Sequence, residues 1–241
     1  MHADVRRLFT VTVAVVAAAV PVAEAATHVR PSPSNNGAQP VVILNREVVA
    51  LAAPRPGAAR VAAVRARTPF TGSQTVLPVL RKAAGPTGGE WLRVRLPARP
   101  NGSIGWIPAD AGAADRTAWR IVIRRDERRA VVYAGGKARA GFSIVVGKPA
   151  TPTPLGTFFV VDKLRVRAGT AGAPWALATS AYSDVLQKYE GGRGQVALHG
   201  TTAMAGRLGT FSSHGCIRFA PSAITWIAHH VDAGTPIFVS R

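Results

Sequence analysis

Hydrophobic and polar residues alternate in short spans along most of this chain, most clearly in Trp91-Leu92-Arg93-Val94-Arg95-Leu96. Leu92, Val94 and Leu96 fall on one side and the arginines on the other, the period-two mark of a half-buried strand. Val41–Leu44, Val76–Leu80 and Gly105–Ile107 read as further strands, with Pro97–Gly102 as a turn. Together they predict a small β-barrel over residues 41–112. Residues 26–40, dense in Pro, Ser, Asn and Gly from His28 onward, show no apolar periodicity and predict a linker. Ala111–Thr117 is small and polar and reads as a boundary.

Residues 117–241 continue in short β-like spans. Arg120–Ile123, Ala130–Tyr133, Phe142–Val146, Thr157–Val161, Gln195–Leu198 and Ile237–Val239 are expected strands, and Ala134-Gly135-Gly136-Lys137 a hairpin turn. One span departs from period two. Ile224, Ile227, Ala228 and Val231 recur at i, i+3, i+4 and i+7, which predicts an amphipathic helix over Ser222–Val231. Ser222 is its expected N-cap and Gly234 lies just past its end. The fold class is therefore mainly β: a small barrel, then a β-rich domain with at least one helix.

Residues 1–25 break the alternation altogether. Arg6 and Arg7 precede an uncharged run from Leu8 to Ala23, followed by small residues at Ala23 and Ala25. A basic start, an apolar middle and an A-x-A site describe a secretory signal peptide, with an uncleaved membrane anchor as the alternative. Either reading places the rest of the chain outside the cytoplasm, at the cell envelope. The net charge is +18, and the first 25 residues contribute none of it, since Arg6 and Arg7 balance Asp4 and Glu24. An exported basic protein suits anionic wall polymers or a membrane surface. The arginines are scattered, and no helix-turn-helix, zinc-finger or stacking-aromatic motif accompanies them, which argues against nucleic acid. Arginine- and alanine-rich coding would produce the same charge, so the charge alone identifies no partner.

Composition matters more at Cys216, the only cysteine. Exported cysteines usually pair, and this one has no mate in its own chain. It is a free thiol, half of an intermolecular disulfide, or an inert buried residue, and polar neighbours Ser213, His214 and Arg218 argue against the last. His214 stands two residues before it. In strand geometry that spacing puts both side chains on one face, where an imidazole can take the thiol proton. Gly215 permits a tight turn and close approach of substrate, and the amides of Gly215 and Cys216 are candidate oxyanion donors. His199, followed by Gly200, ends an apolar run and is either a second pocket histidine or a structural one. Arg218 is a candidate clamp for a substrate carboxylate, or one more surface arginine. Tyr182, with Ser183, is a candidate for a loop over the site. No CxxC or HExxH spacing points to a metal.

The wider pattern resembles a known family. His199-Gly200 followed by Ser213-His214-Gly215-Cys216-Ile217-Arg218 is similar to the signature of the L,D-transpeptidase (YkuD-type) catalytic domain. Pro152-Thr153-Pro154-Leu155-Gly156-Thr157-Phe158 and Gly234-Thr235-Pro236-Ile237 resemble that family's TPTPxGxF and GTPV segments. The resemblance runs from about Trp119 to Ser240. Two departures stand out: Arg218 occupies a position where the family often has Asn, and the gap from His199 to Ser213 is short. The stretch GEWLRVRLPARPNGSIGWIPAD resembles the bacterial SH3-like modules attached to many wall enzymes.

The catalytic resemblance implies acyl transfer between peptidoglycan stem peptides without a cofactor. Cys216 would attack a donor tetrapeptide, expel its terminal D-amino acid and form a thioester that an acceptor amine resolves into a 3→3 cross-link. His214 would act as base and acid, Ser213 would position it, a backbone carbonyl would orient its other nitrogen, and His199 would line the pocket. Carbapenem-type acylation of Cys216 is expected on the same basis. An L,D-carboxypeptidase or endopeptidase, with water as acceptor, and a catalytically silent wall-binding protein are the alternatives.

Overall fold

A computed structural model describes residues 38–188 and 192–241. The expected export signal, and the expected linker up to residue 37, lie outside the described residues. The chain enters a strand at Gln39, two residues inside the expected linker: β1 (Gln39–Leu44). It continues through β2 (Val48–Leu51), β3 (Arg60–Val64), β4 (Val76–Ala84), β5 (Glu90–Arg95), β6 (Ile104–Pro108), a 3-10 turn at Ala109–Ala111, and β7 (Gly112–Thr117). These strands form one antiparallel seven-stranded sheet in the order β3-β2-β6-β5-β4-β1-β7. On β5, Leu92 and Val94 face a core with Leu44, Leu77, Leu96 and Ile107, as the alternation requires.

The expected boundary at Ala111–Thr117 is instead β7, paired with β1 along its whole length from Gln39↔Thr117 to Leu44↔Gly112. Its Gly-Ala-Ala-Asp-Arg-Thr sequence has little intrinsic strand preference, so the long-range partner creates the strand. Gly112 fits because a Cβ there would stand 2.2 Å from the Ile43 carbonyl oxygen.

The second half comprises β8 (Trp119–Arg124), β9 (Arg129–Ala134), β10 (Lys137–Ser143), β11 (Val146–Gly147), β12 (Gly156–Arg165), β13 (Trp175–Tyr182), β14 (Gln195–Gly200), β15 (Phe211–Ser213), β16 (Ile217–Phe219), α1 (Pro221–His230) and β17 (Pro236–Ser240). Eight of these strands form one sheet in the order β10-β9-β8-β17-β12-β13-β14-β16, while β11 and β15 pair separately. The pairs β8/β17 and β14/β16 are parallel. Ile224, Ile227, Ala228 and Val231 bury the predicted helix stripe against this sheet's core. The helix starts one residue earlier than expected, at Pro221, with Ala220 as cap and no side-chain capping bond. Proline lacks the N–H a cap would satisfy and its φ suits the first turn, so Ser222 is not the cap.

The two sheets share packing. Phe159 and Val161 of β12, next to Phe158 and Val160 of the second core, join Leu77, Val94 and Ile107 in the first. Period-two alternation along β12 thus feeds both cores from one strand.

Candidate active site

The site is assembled where β14 and β16 run parallel, with Leu198↔Ile217, His199↔Arg218 and Gly200↔Phe219 in register. Cys216 stands immediately before β16, half-buried, and its Sγ accepts a hydrogen bond from the Ala197 amide at 3.5 Å. The chain between β15 and β16 is a bend, not a strand, and Gly215 adopts φ +120 there, a conformation glycine accepts at no steric cost. The same-face argument for His214 therefore fails, because it needs extended geometry. His214 lies exposed on this bend.

Buried hydroxyls hold the bend. Ser213 Oγ donates to the Cys216 carbonyl at 2.6 Å and accepts from the Gly215 amide at 3.1 Å. Ser213 therefore shapes the turn under Cys216, and the Gly215 amide is engaged by that hydroxyl, which removes it as an oxyanion donor. Thr153 Oγ donates to the Gly215 carbonyl at 2.8 Å and accepts from the Gly147 amide at 2.9 Å. Thr153 is 1 % exposed, so its hydroxyl works where an unmet carbonyl would be costly. The Thr-Pro-Thr-Pro segment thereby buttresses the nucleophile's turn. Its sequence pattern was visible, but the hydroxyl's partner lies 62 residues away.

The His199 ring is held at one nitrogen. Its Nδ1 lies 2.8 Å from the Gly200 carbonyl oxygen. A carbonyl only accepts, so Nδ1 carries the hydrogen and Nε2 of the neutral ring presents a lone pair. Burial lowers the His199 pKa from its usual value, the Gly200 bond opposes this, and the nearby Arg218 cation lowers it further. The balance disfavours the imidazolium and leaves the Nε2 lone pair of the neutral ring available. Gly200 is required by packing, since a Cβ there would meet the Ala173 carbonyl oxygen at 1.8 Å.

Arg218 is buried rather than presented to solvent. One guanidinium nitrogen donates to the Ala205 carbonyl, and its Nε is buried with no hydrogen-bond partner among the described residues. It is therefore not one more surface arginine, and it stands in register with His199 across the β14/β16 pair. Tyr182 is not brought to the site as a covering loop. It is the buried last residue of β13, and its hydroxyl donates to the Pro97 carbonyl of the first sheet at 3.2 Å. A groove of about 480 Å³ beside α1, lined by residues including Arg139, Phe142, Leu208 and Trp226, contains none of the predicted site residues. Among the described residues no group of three His, Cys, Asp or Glu is arranged to hold a metal ion.

Cys216, His199, Gly200 and Arg218 thus converge on one strand pair. Residues 118–239 match the family model of the YkuD L,D-transpeptidase catalytic domain, about half of the chain. The chain belongs to the L,D-transpeptidase catalytic-domain family. It is 32% identical over 100 residues to YkuD of Bacillus subtilis (strain 168), a protein bearing an L,D-transpeptidase name. That match covers 42% of this chain and 52% of the relative, so the chain spans about half of the relative's length. Similar solved structures include an L,D-transpeptidase from Mycobacterium smegmatis (19% identity, TM-score 0.41, covering 68% of this chain and 99% of that one). Another is an L,D-transpeptidase from Mycobacterium tuberculosis H37Rv (16% identity, TM-score 0.45, covering 69% and 90%). A third is the catalytic domain of the E. faecium L,D-transpeptidase (26% identity, TM-score 0.38, covering 51% and 96%).

Proposed function

We propose that this protein is a peptidoglycan L,D-transpeptidase that forms 3→3 cross-links through a thioester on Cys216, with His199 rather than His214 as its general base. One observation carries the assignment of the base. The His199 ring is buried, held by its Nδ1–H on the Gly200 carbonyl, and sits two residues along β14 from the amide that contacts the Cys216 sulfur.

Nε2 of His199 takes the thiol proton, and the thiolate attacks the donor carbonyl. The tetrahedral oxyanion forms beside the bend, with the Cys216 amide as its donor. As the C–N bond breaks, the imidazolium returns the proton to the leaving amine of the terminal D-amino acid. An acceptor amine then attacks the thioester, His199 takes its proton, and the thiolate leaves to regenerate the enzyme. The Ala197 amide favours the thiolate because a donor to sulfur stabilises the charged form. Arg218 favours the neutral histidine that the first step needs.

The same reading makes the first sheet an SH3-like module, residues 1–25 an export signal, and the cell envelope the place of action. Its net charge of +18 suits the anionic polymers and membrane surface found there.

Incubation with disaccharide tetrapeptide, followed by mass spectrometry, tests this function. The expected result is a Cys216 acyl-enzyme and cross-linked dimers, both absent in Cys216→Ala. Tripeptide without dimers would instead identify a carboxypeptidase, and no adduct would leave a silent wall-binding protein.

A further inference from the structure

The turn between β5 and β6 of the first sheet reaches the connection between β13 and β14, the strand that carries Ala197 and His199. Arg99 on this turn donates to three backbone carbonyls of that connection: Nη1 to Ser183 at 3.0 Å, and Nη2 to Leu186 at 3.3 Å and Arg193 at 3.1 Å. Its guanidinium also lies 5.0 Å from the Tyr182 ring centroid. Asn101 behaves as an extra strand partner for Tyr182. Its Oδ1 accepts from the Tyr182 amide at 2.9 Å, and its Nδ2 donates to the Tyr182 carbonyl at 2.7 Å and to Asp184 at 2.9 Å.

Three convergent carbonyls repel one another unless a cation with several donors sits among them, and a planar guanidinium meets that need. The connection is closed at its base by the Ser183 amide donating to the Gly194 carbonyl at 2.8 Å. Gly194 is packed against the same cluster: with φ +65, a Cβ there would stand 1.9 Å from the Leu186 carbonyl oxygen and 3.3 Å from Arg99 Nη2. β14 begins at the next residue, Gln195, which pairs with Tyr182 after a register shift between Ala178 and Tyr182. Two residues further on is the Ala197 amide that meets the Cys216 sulfur. A register error of one residue would turn every side chain of β14 to the other face, His199 included.

We propose that Arg99 and Asn101 are positioning residues for the active site: from the first sheet, they fix the entry of β14 and so hold the Ala197 amide on the Cys216 thiolate. The first sheet then contributes to nucleophile activation without contributing a group that touches substrate. The inference rests on Cys216 being the reactive thiol, but its test reads the thiol directly and needs no transfer product.

Cys216 is the only cysteine, so iodoacetamide alkylation at a series of pH values reports one site. Arg99→Ala and Asn101→Ala should raise the midpoint of the alkylation profile, because a loosened Ala197 donor stabilises the thiolate less. The rate near pH 7 should fall on the order of tenfold per unit of midpoint shift, at a temperature where circular dichroism shows both variants folded. Arg99→Lys, which keeps the charge but not the fork, should fall between. Should Arg99→Ala not fold, Asn101→Ala and Arg99→Lys carry the test alone. Folded variants whose melting temperature drops while the alkylation midpoint and rate stay at wild-type values would overturn the proposal. A wild-type midpoint at the ordinary thiol value would count against an activated Cys216 itself, a different failure from an unchanged difference between variants.

Discussion

At the scale of single residues, the proposed mechanism gives the two histidines of the motif different parts. His214 is close in sequence and lies exposed on a bend, while His199 is distant in sequence and has its ring fixed from behind by Gly200. Neutral His199 is the active form of a base, so activity should persist below the ordinary histidine value. The acid limb of kcat/KM is expected below about pH 6.5. Arg218 lowers the His199 pKa, so Arg218→Gln should move that limb to higher pH; movement to lower pH, or none, would remove the electrostatic role given to Arg218. Stability follows the same sign. With the folded pKa lowered, the unfolded chain binds the proton first as pH falls, so this contribution is complete above about pH 6.5 and declines below it.

At the scale of elements, what could be read in advance was what local pattern dictates. The alternation of Leu92 and Val94, and the i, i+3, i+4, i+7 stripe of α1, are built by neighbours in sequence, so both were visible. β7 and β13 were not. The small and polar residues of β7 become a strand because β1 supplies the backbone partner. In β13, Trp175, Leu177 and Tyr182 stand among small residues without a clean alternation, and the strand is paired on both sides by β12 and β14. The catalytic motif was legible as a set of residues, yet its internal roles were not. The i, i+2 spacing of His214 and Cys216 brings them to one face only if the backbone is extended through Gly215, and the bend there is held by Ser213 and Thr153 hydroxyls. The parallel pairing of β14 with β16, which sets His199 beside Arg218, joins segments whose contact no local periodicity announces.

At the scale of the whole molecule, the two sheets share packed residues. Phe159 and Val161 of the catalytic half are buried in the first sheet's core. Asp162, 2 % exposed, accepts from the Thr71 amide at 3.1 Å and the Thr71 hydroxyl at 2.7 Å. Asp162→Ala should cost about 1.5–3 kcal/mol, since it removes hydrogen bonds that Thr71 donates to a buried, charged carboxylate. A chain beginning at residue 118 should melt lower still, because it also re-exposes Phe159, a loss of about 2 kcal/mol. Denaturant unfolding of the three proteins checks this order, and a shortened chain as stable as the full one would show that the sheets are independent.

The rate of carbapenem acylation, followed by intact mass, tests most directly whether His199 activates Cys216. His199→Gln should slow acylation by about 10²–10⁴-fold, while His214→Gln should stay within about tenfold of wild type. The reverse order, with His214→Gln the crippled variant and His199→Gln near wild type, would contradict the account.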